Sequence, residues 1–239
     1  MSIYFTAGYP SLTSTVQIIE ELERNGVDMI EIGLPFSDPL ADGPTIQKSS
    51  TVALKNGMTT EILFEQLKNI RKTVSIPLVI MGYFNPVLQF GVEEFCKKCE
   101  EIGIDGLILP DLPLDVYQNE YEGVFKKYGL INVFLITPQT SDARIQQIDK
   151  ASNGFIYMVS SASVTGSKSG FGNEQEAYFE RIASMNLKNP QIVGFGIKDS
   201  ETFQQATRRA KGAIIGSAFI KFLTEKGENN ISEFIQSIR

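Results

Sequence analysis

The chain has 239 residues, 42% hydrophobic and 21% charged, which supplies a large core and excludes a disordered tail or an integral membrane protein. With 28 acidic against 22 basic residues the formal net charge is -6, which argues against nucleic acid as a partner. There is no histidine, so histidine-based triads, metal sites and general bases are excluded.

No apolar run approaches the length of a membrane span, and residues 1–20 lack the basic start and apolar stretch of a signal peptide. Eight short strand-like runs follow in chain order, at 3–8, 29–34, 77–83, 106–111, 132–137, 154–160, 191–197 and 212–217. Amphipathic stretches separate them. Leu63, Leu67, Ile70 and Val74, for example, recur on one helix face. Gly26, Gly57, Gly103 and Gly129 stand where helices should stop. Near-continuous apolar strands alternating with helices predict a parallel sheet covered by helices. Eight such units in a chain of this length predict one catalytic domain, 1–239, folded as a closed (β/α)8 TIM barrel. The rival is an open doubly wound sheet. It usually shows a glycine-rich dinucleotide loop after its first strand, a pattern that Thr6-Ala7-Gly8-Tyr9-Pro10 lacks.

The two cysteines, Cys96 and Cys99, have the spacing of a redox or zinc pair. A zinc site needs about four ligands, and no other cysteine or histidine exists to supply them. Val92, Phe95, Cys96, Cys99 and Ile102 instead read as one buried helix stripe. The low cysteine content fits a reducing, cytoplasmic setting.

The second strand holds a carboxylate. If Ile30, Ile32 and Leu34 pack outward on helices, Glu31 points into the barrel with Met29 and Gly33. A carboxyl there is expensive to ionise, which raises its pKa and suits it to proton exchange near neutrality. The loop 35–44 follows, restrained by three prolines and carrying Phe36, Asp38 and Asp42. Asp38 and Asp42 can be ordinary turn residues, or one of them can reach over the barrel mouth as a second acid. The stretch 160–173 is small, polar and glycine-rich and follows the sixth strand, so it reads as a lid. Gly194-Phe195-Gly196 and Gly216-Ser217 end the last two strands, where barrels often bind phosphate through main-chain amides.

Glu31 to Gln47, read as E-I-G-L-P-F-S-D-P-L-A-D-G-P-T-I-Q, resembles the tryptophan synthase α subunit family. P-D-L-P at 110–113, V-T-G at 164–166, G-F-G-I at 194–197 and G-S-A at 216–218 follow in the family's order, so the resemblance spans essentially the whole chain. It implies a (β/α)8 lyase that cleaves indole-3-glycerol phosphate to indole and glyceraldehyde 3-phosphate by a retro-aldol reaction in tryptophan biosynthesis. No metal or cofactor is implied for this subunit. The resemblance places the general acid–base on Glu31, the second catalytic acid on Asp42 and the active-site tyrosine on Tyr157. It places phosphate binding on Gly166, Gly196, Gly216 and Ser217, the indole pocket on Tyr4, Ile46, Met81, Ile108, Phe195 and Ile214, and Thr165 among the substrate-binding residues. It also implies an α2β2 heterotetramer, in which a pyridoxal-phosphate β subunit receives indole through a tunnel. Phe36, Asp38 and the 35–44 loop resemble the surface that meets this subunit.

Three features depart from the family pattern. The family usually carries a helix before its first strand, whereas this chain opens almost directly at Ile3, so a barrel without that helix is expected. Ser161, and Ala162-Ser163 ahead of Val164, stand where an arginine and a glycine are common in the lid. Tyr4 stands where phenylalanine is frequent and adds a hydroxyl to the indole pocket. Two other readings compete with the lyase. A catalytically weak partner of a β subunit is disfavoured by retention of both Glu31 and Asp42. A Schiff-base aldolase is disfavoured because Lys198, the strand-end lysine, has no apolar cage apparent in the sequence.

Overall fold

The alternation of strands and helices closes on itself. In the computed structural model, which describes residues 1–40, 42–160 and 172–239, eight parallel strands form a closed barrel. They are β1 (Ser2–Thr6), β2 (Met29–Gly33), β3 (Leu78–Met81), β4 (Gly106–Ile108), β5 (Ile131–Ile136), β6 (Ile156–Val159), β7 (Gln191–Gly194) and β8 (Gly212–Ile215). They pair in chain order, and β8 returns to β1 with Ser2 opposite Ile214. Every predicted strand is present. The predicted runs overreach the observed carboxyl ends by one to three residues. There the apolar pattern continues, but the chain has left the ladder, and Leu34, Gly82 and Phe195 line the mouth.

The helices cover the barrel: α1 (Ser14–Arg24), α2 (Pro44–Lys55), α3 (Thr60–Leu67), α4 (Phe84–Phe90), α5 (Val92–Ile102) and the single turn α6 (Leu114–Val116). They continue as α7 (Glu122–Lys127), α8 (Asp142–Ala151), α9 (Asn173–Ser184), α10 (Ser200–Thr207), α11 (Ser217–Lys226) and α12 (Ile231–Ile238). Ile3, Phe5, Ile30 and Ile32 point outward into the layer between strands and helices and are fully buried. Each such side chain contributes on the order of 1.5–3 kcal/mol. Gly26, Gly57, Gly103 and Gly129 all have positive φ, between 66° and 94°, and stop helices as expected. The face read from Leu63 to Val74 is buried throughout, although α3 ends at Leu67 and Ile70 lies in a separate 3-10 turn.

Cys96 and Cys99 are buried on α5 as packing residues. Burial, then the charge of Glu93, pushes the Cys96 thiol up to about 12, so neither redox nor metal chemistry is suggested there. β1 is the first element of the chain given. The ends of the chain meet below the barrel, where the Met1 ammonium bonds Asp28 at 2.5 Å and Arg239 bonds the Gly26 carbonyl at 2.6 Å. Among the described residues no helix is long and apolar enough to cross a membrane.

Candidate active site

Glu31 sits in mid-strand between two outward-facing isoleucines and is fully buried inside the barrel. Its neighbours in register are Tyr4 on β1 and Val79 on β3. Ser2 Oγ donates to Glu31 Oε1 at 3.3 Å. Burial pushes the carboxyl up to about 8, against the opposing effect of that hydrogen bond. The inward placement read from strand alternation is therefore correct for Glu31. Leu34 lies just past the end of β2 and lines both the cavity at the barrel mouth and a second cavity on the helix side, beside Leu54, Met58 and Phe90.

That cavity, about 40 Å³, is bounded by Tyr4, Leu34, Phe36, Asp42, Ser50, Met81, Gly82, Tyr83, Pro110, Leu135 and Phe195. Asp42 reaches it from the loop after β2. The Asp42 amide bonds the Pro39 carbonyl at 3.2 Å, and Gln47 on α2 bonds the Asp42 carbonyl at 2.9 Å. Gly43 then caps α2 and Pro44 opens its first turn. Burial pushes the Asp42 carboxyl up to about 6, opposed by a hydrogen bond that Tyr83 donates at 3.4 Å. Phe36 packs on Tyr83 with ring centroids 5.1 Å apart, which joins this loop to the end of β3.

Two tyrosines lie over glycines of the next strand. A Cβ on Gly33 would collide with the Tyr4 hydroxyl, and one on Gly194 with the Tyr157 hydroxyl. Tyr157 is buried on β6 and packs edge-on to Phe195 at 6.3 Å. Burial, then the charge of Glu31, pushes its phenol far above the usual range.

Phe195 and Gly196 carry consecutive positive φ angles, 70° and 77°. This backbone is costly for phenylalanine, and turns of this kind aim successive amides at one point. Ser160 Oγ donates to the Phe195 carbonyl at 2.7 Å and supports the turn. Gly216 leads into α11, a ten-residue helix whose N-cap makes no side-chain hydrogen bond among the described residues, and a helix start of this kind directs amides at an anion.

The cavity thus brings together Tyr4, Asp42, Met81 and Phe195, with Glu31 and Tyr157 buried beneath. Ile108 and Ile214 are buried and Ile46 partly buried, and none of the three lines it. Thr165 and Gly166 lie outside the described residues, as do Ser161, Ala162, Ser163 and most of the predicted lid. Sequence reasoning missed Ser2 and Tyr83, the partners of the two acids. Their placement at alternate interior positions of β1 and just past β3 was the available signal.

A closed parallel barrel with one acid of raised pKa lining its mouth and a second buried beneath it is the arrangement of a (β/α)8 enzyme. Comparison with known proteins narrows the class. A family model described as tryptophan synthase alpha chain matches residues 2–238. The tryptophan synthase alpha chain of Flavobacterium johnsoniae is 76% identical over 239 residues, covering 100% of this chain and 94% of that one. That of Bacteroides thetaiotaomicron is 56% identical, covering 95% and 88%. A crystal structure of the tryptophan synthase complex from Pyrococcus furiosus aligns with a TM-score of 0.89 at 33% identity, covering 99% and 96%. The chain belongs to the tryptophan synthase alpha chain family.

Proposed function

We propose that Glu31 and Asp42 carry the α reaction of this family, with Glu31 moving protons and Asp42 holding the charge that develops on the ring. The reaction is that of a carbon–carbon lyase, the retro-aldol cleavage of indole-3-glycerol phosphate to indole and glyceraldehyde 3-phosphate. The observation that carries the residue assignment is the separation of the two acids. Glu31 at about 8 holds a proton at neutral pH, while Asp42 at about 6 is ionised.

Protonated Glu31 delivers its proton to ring carbon C3. Positive charge then develops at the ring nitrogen, and Asp42 accepts a hydrogen bond from that N–H. The Glu31 carboxylate next takes the proton of the C3′ hydroxyl. The C3–C3′ bond breaks, its electron pair returns to the ring as indole, and C3′ becomes the aldehyde carbon. Glu31 ends protonated, as it began.

Tyr4, Ile46, Met81, Ile108, Phe195 and Ile214 form the indole pocket in this reading, and Tyr157 positions Phe195. Main-chain groups of Gly196, Gly216 and Ser217 hold the phosphate, together with Gly166, and Thr165 is among the substrate-binding residues. The loop after β2, where Ser37, Asp38 and Leu40 are exposed, Leu40 to 92%, is the surface offered to a β subunit in an α2β2 assembly that receives the indole. The whole chain acts as a single domain in the cytoplasm.

The test is indole release from indole-3-glycerol phosphate by the purified protein, compared with Glu31→Gln and Asp42→Asn. Wild type is expected to release indole, and Glu31→Gln to lose nearly all activity with its circular dichroism unchanged. Release that survives Glu31→Gln removes Glu31 from the mechanism.

A further inference from the structure

The two oxygens of the Glu31 carboxyl stand in different surroundings. On β1, Ser2 lies opposite Met29 and Tyr4 lies opposite Glu31, so Ser2 and Tyr4 are successive inward positions of the strand. Ser2 is on the amino-end side of Glu31, away from the mouth, and does not line the cavity. It is 3% exposed, and its hydroxyl donates to Glu31 Oε1 at 3.3 Å. That is the one hydrogen bond the hydroxyl makes among the described residues, so its hydrogen has no competing acceptor there. Glu31 Oε2 is buried and meets no partner among the described residues.

A neutral carboxyl carries its proton on one oxygen and accepts on the other. With Ser2 donating to Oε1, that oxygen is the acceptor and the proton rests on Oε2. The same bond resists an end-for-end turn of the carboxyl. Such constancy suits the reaction. Ring carbon C3 and the oxygen of the C3′ hydroxyl are separated by a single carbon, so one carboxyl oxygen can serve both without rotating between steps. The other groups around Glu31 do not supply a rival proton. Tyr4 from β1 and Tyr157 from β6 lie within electrostatic reach, and burial, then nearby negative charge, pushes both phenols far above the usual range. Val79, the register neighbour on β3, carries no charge, and Asp42 stands at the mouth.

We propose that Ser2 is a positioning residue: its hydroxyl holds Glu31 Oε1 from the side away from the mouth and so reserves Oε2 as the single oxygen that exchanges protons with the substrate. Oε2 gives its proton to C3. It then takes the proton of the C3′ hydroxyl as the C3–C3′ electron pair returns to the ring, and the carboxyl ends as it began. The proposal rests on the lyase reading for these steps, whereas the hold on Oε1 is a property of the protein alone.

The test compares wild type, Ser2→Ala and Ser2→Thr by infrared difference spectra against Glu31→Gln and by the pH profile of indole release. A hydrogen bond to its carbonyl oxygen lowers the stretching frequency of a neutral carboxyl. The Glu31 band is therefore expected at higher frequency in Ser2→Ala and at the wild-type position in Ser2→Thr. Loss of the donor also disfavours the ionised form, so the basic limb should move up by about half to one pH unit in Ser2→Ala. Its kcat should fall about three- to tenfold with KM unchanged, because Ser2 touches Glu31 and not the cavity. Ser2→Thr should restore all three. A Glu31 band at one frequency in wild type and Ser2→Ala overturns the proposal. So does a displaced band with kcat and the basic limb unchanged, or a Ser2→Thr that behaves as Ser2→Ala. A displaced band in a protein that releases no indole rejects the lyase reading and leaves the Ser2 hold on Oε1 standing.

Discussion

Ser2 Oγ supplies one hydrogen bond to Glu31 Oε1, and the other carboxyl oxygen, Oε2, meets no hydrogen-bond partner among the described residues. A buried carboxylate with one donor is poorly compensated, which is why its folded value of about 8 lies above the usual 4.5. The folded chain keeps a proton that the unfolded chain releases, so this group favours folding below about 4.5 and loses that advantage as pH rises to about 8. Glu31→Gln stays neutral throughout. It is expected to match wild type in stability near pH 5 and to exceed it near pH 9 by on the order of a few kcal/mol, measured by urea unfolding at both pH values. A constant difference between the two conditions would mean that Glu31 does not titrate with folding.

The same values set the pH dependence of the reaction. Asp42 must be ionised to stabilise the ring charge, so activity should be lost as pH falls through about 6. Glu31 must be protonated to donate to C3, so activity should also be lost as pH rises through about 8. The expected profile of kcat/KM is a bell with limbs near those two values, which belong to the coupled pair. A rate that keeps rising above about pH 8 would mean that Glu31 starts the reaction as a base.

Tyr83 donates to the ionised form of Asp42 and so holds its pKa below what burial alone would give. Tyr83→Phe removes that donor. The acidic limb should move up by less than about one pH unit, with a few-fold loss of kcat/KM near neutral pH and little change above pH 8, as expected for one long neutral hydrogen bond. A uniform loss at all pH values would assign Tyr83 a packing role only.

Part of this site is legible in the chain itself. Glu31 stands out because a carboxylate interrupts an apolar strand, and the period of two places it inside. The eightfold repeat gives the barrel for the same local reason. Ser2 and Tyr83 do not stand out, because serine and tyrosine are ordinary strand and strand-end residues. What makes them partners is the register of β1 on β2 and the loop that folds Asp42 back over β3, which are long-range choices. That Leu34 borders both the mouth cavity and the helix layer is not legible either, because hydrophobicity marks burial without saying which cavity provides it.

Gly33 carries a requirement that its position in a strand hides. A Cβ there would collide with the Tyr4 hydroxyl, and the Tyr4 ring is backed by Gly216 on its other side. Gly33→Ala should therefore cost about 1–3 kcal/mol through overpacking and displace Tyr4 into the cavity, raising KM for the indole-bearing substrate more than it lowers kcat. Kinetics equal to wild type would show that Tyr4 has another place to go.

Asn132 offers a change in the opposite direction. It lies on β5 opposite Leu107, is 2% exposed, and neither its amide nitrogen nor its carbonyl oxygen has a hydrogen-bond partner among the described residues. It stands three positions from Leu135, which faces the cavity, so strand alternation points it outward, away from the site. Two unsatisfied polar atoms in the layer between strands and helices cost folding energy that a leucine of similar shape would not. Asn132→Leu should stabilise the protein by about 1–3 kcal/mol, with a thermal midpoint several degrees higher at roughly 2–4 °C per kcal/mol for a chain of this size, and unchanged kcat/KM. A lower midpoint would reveal an ordered water bridging the Asn132 amide, since only a satisfied amide is lost at a cost.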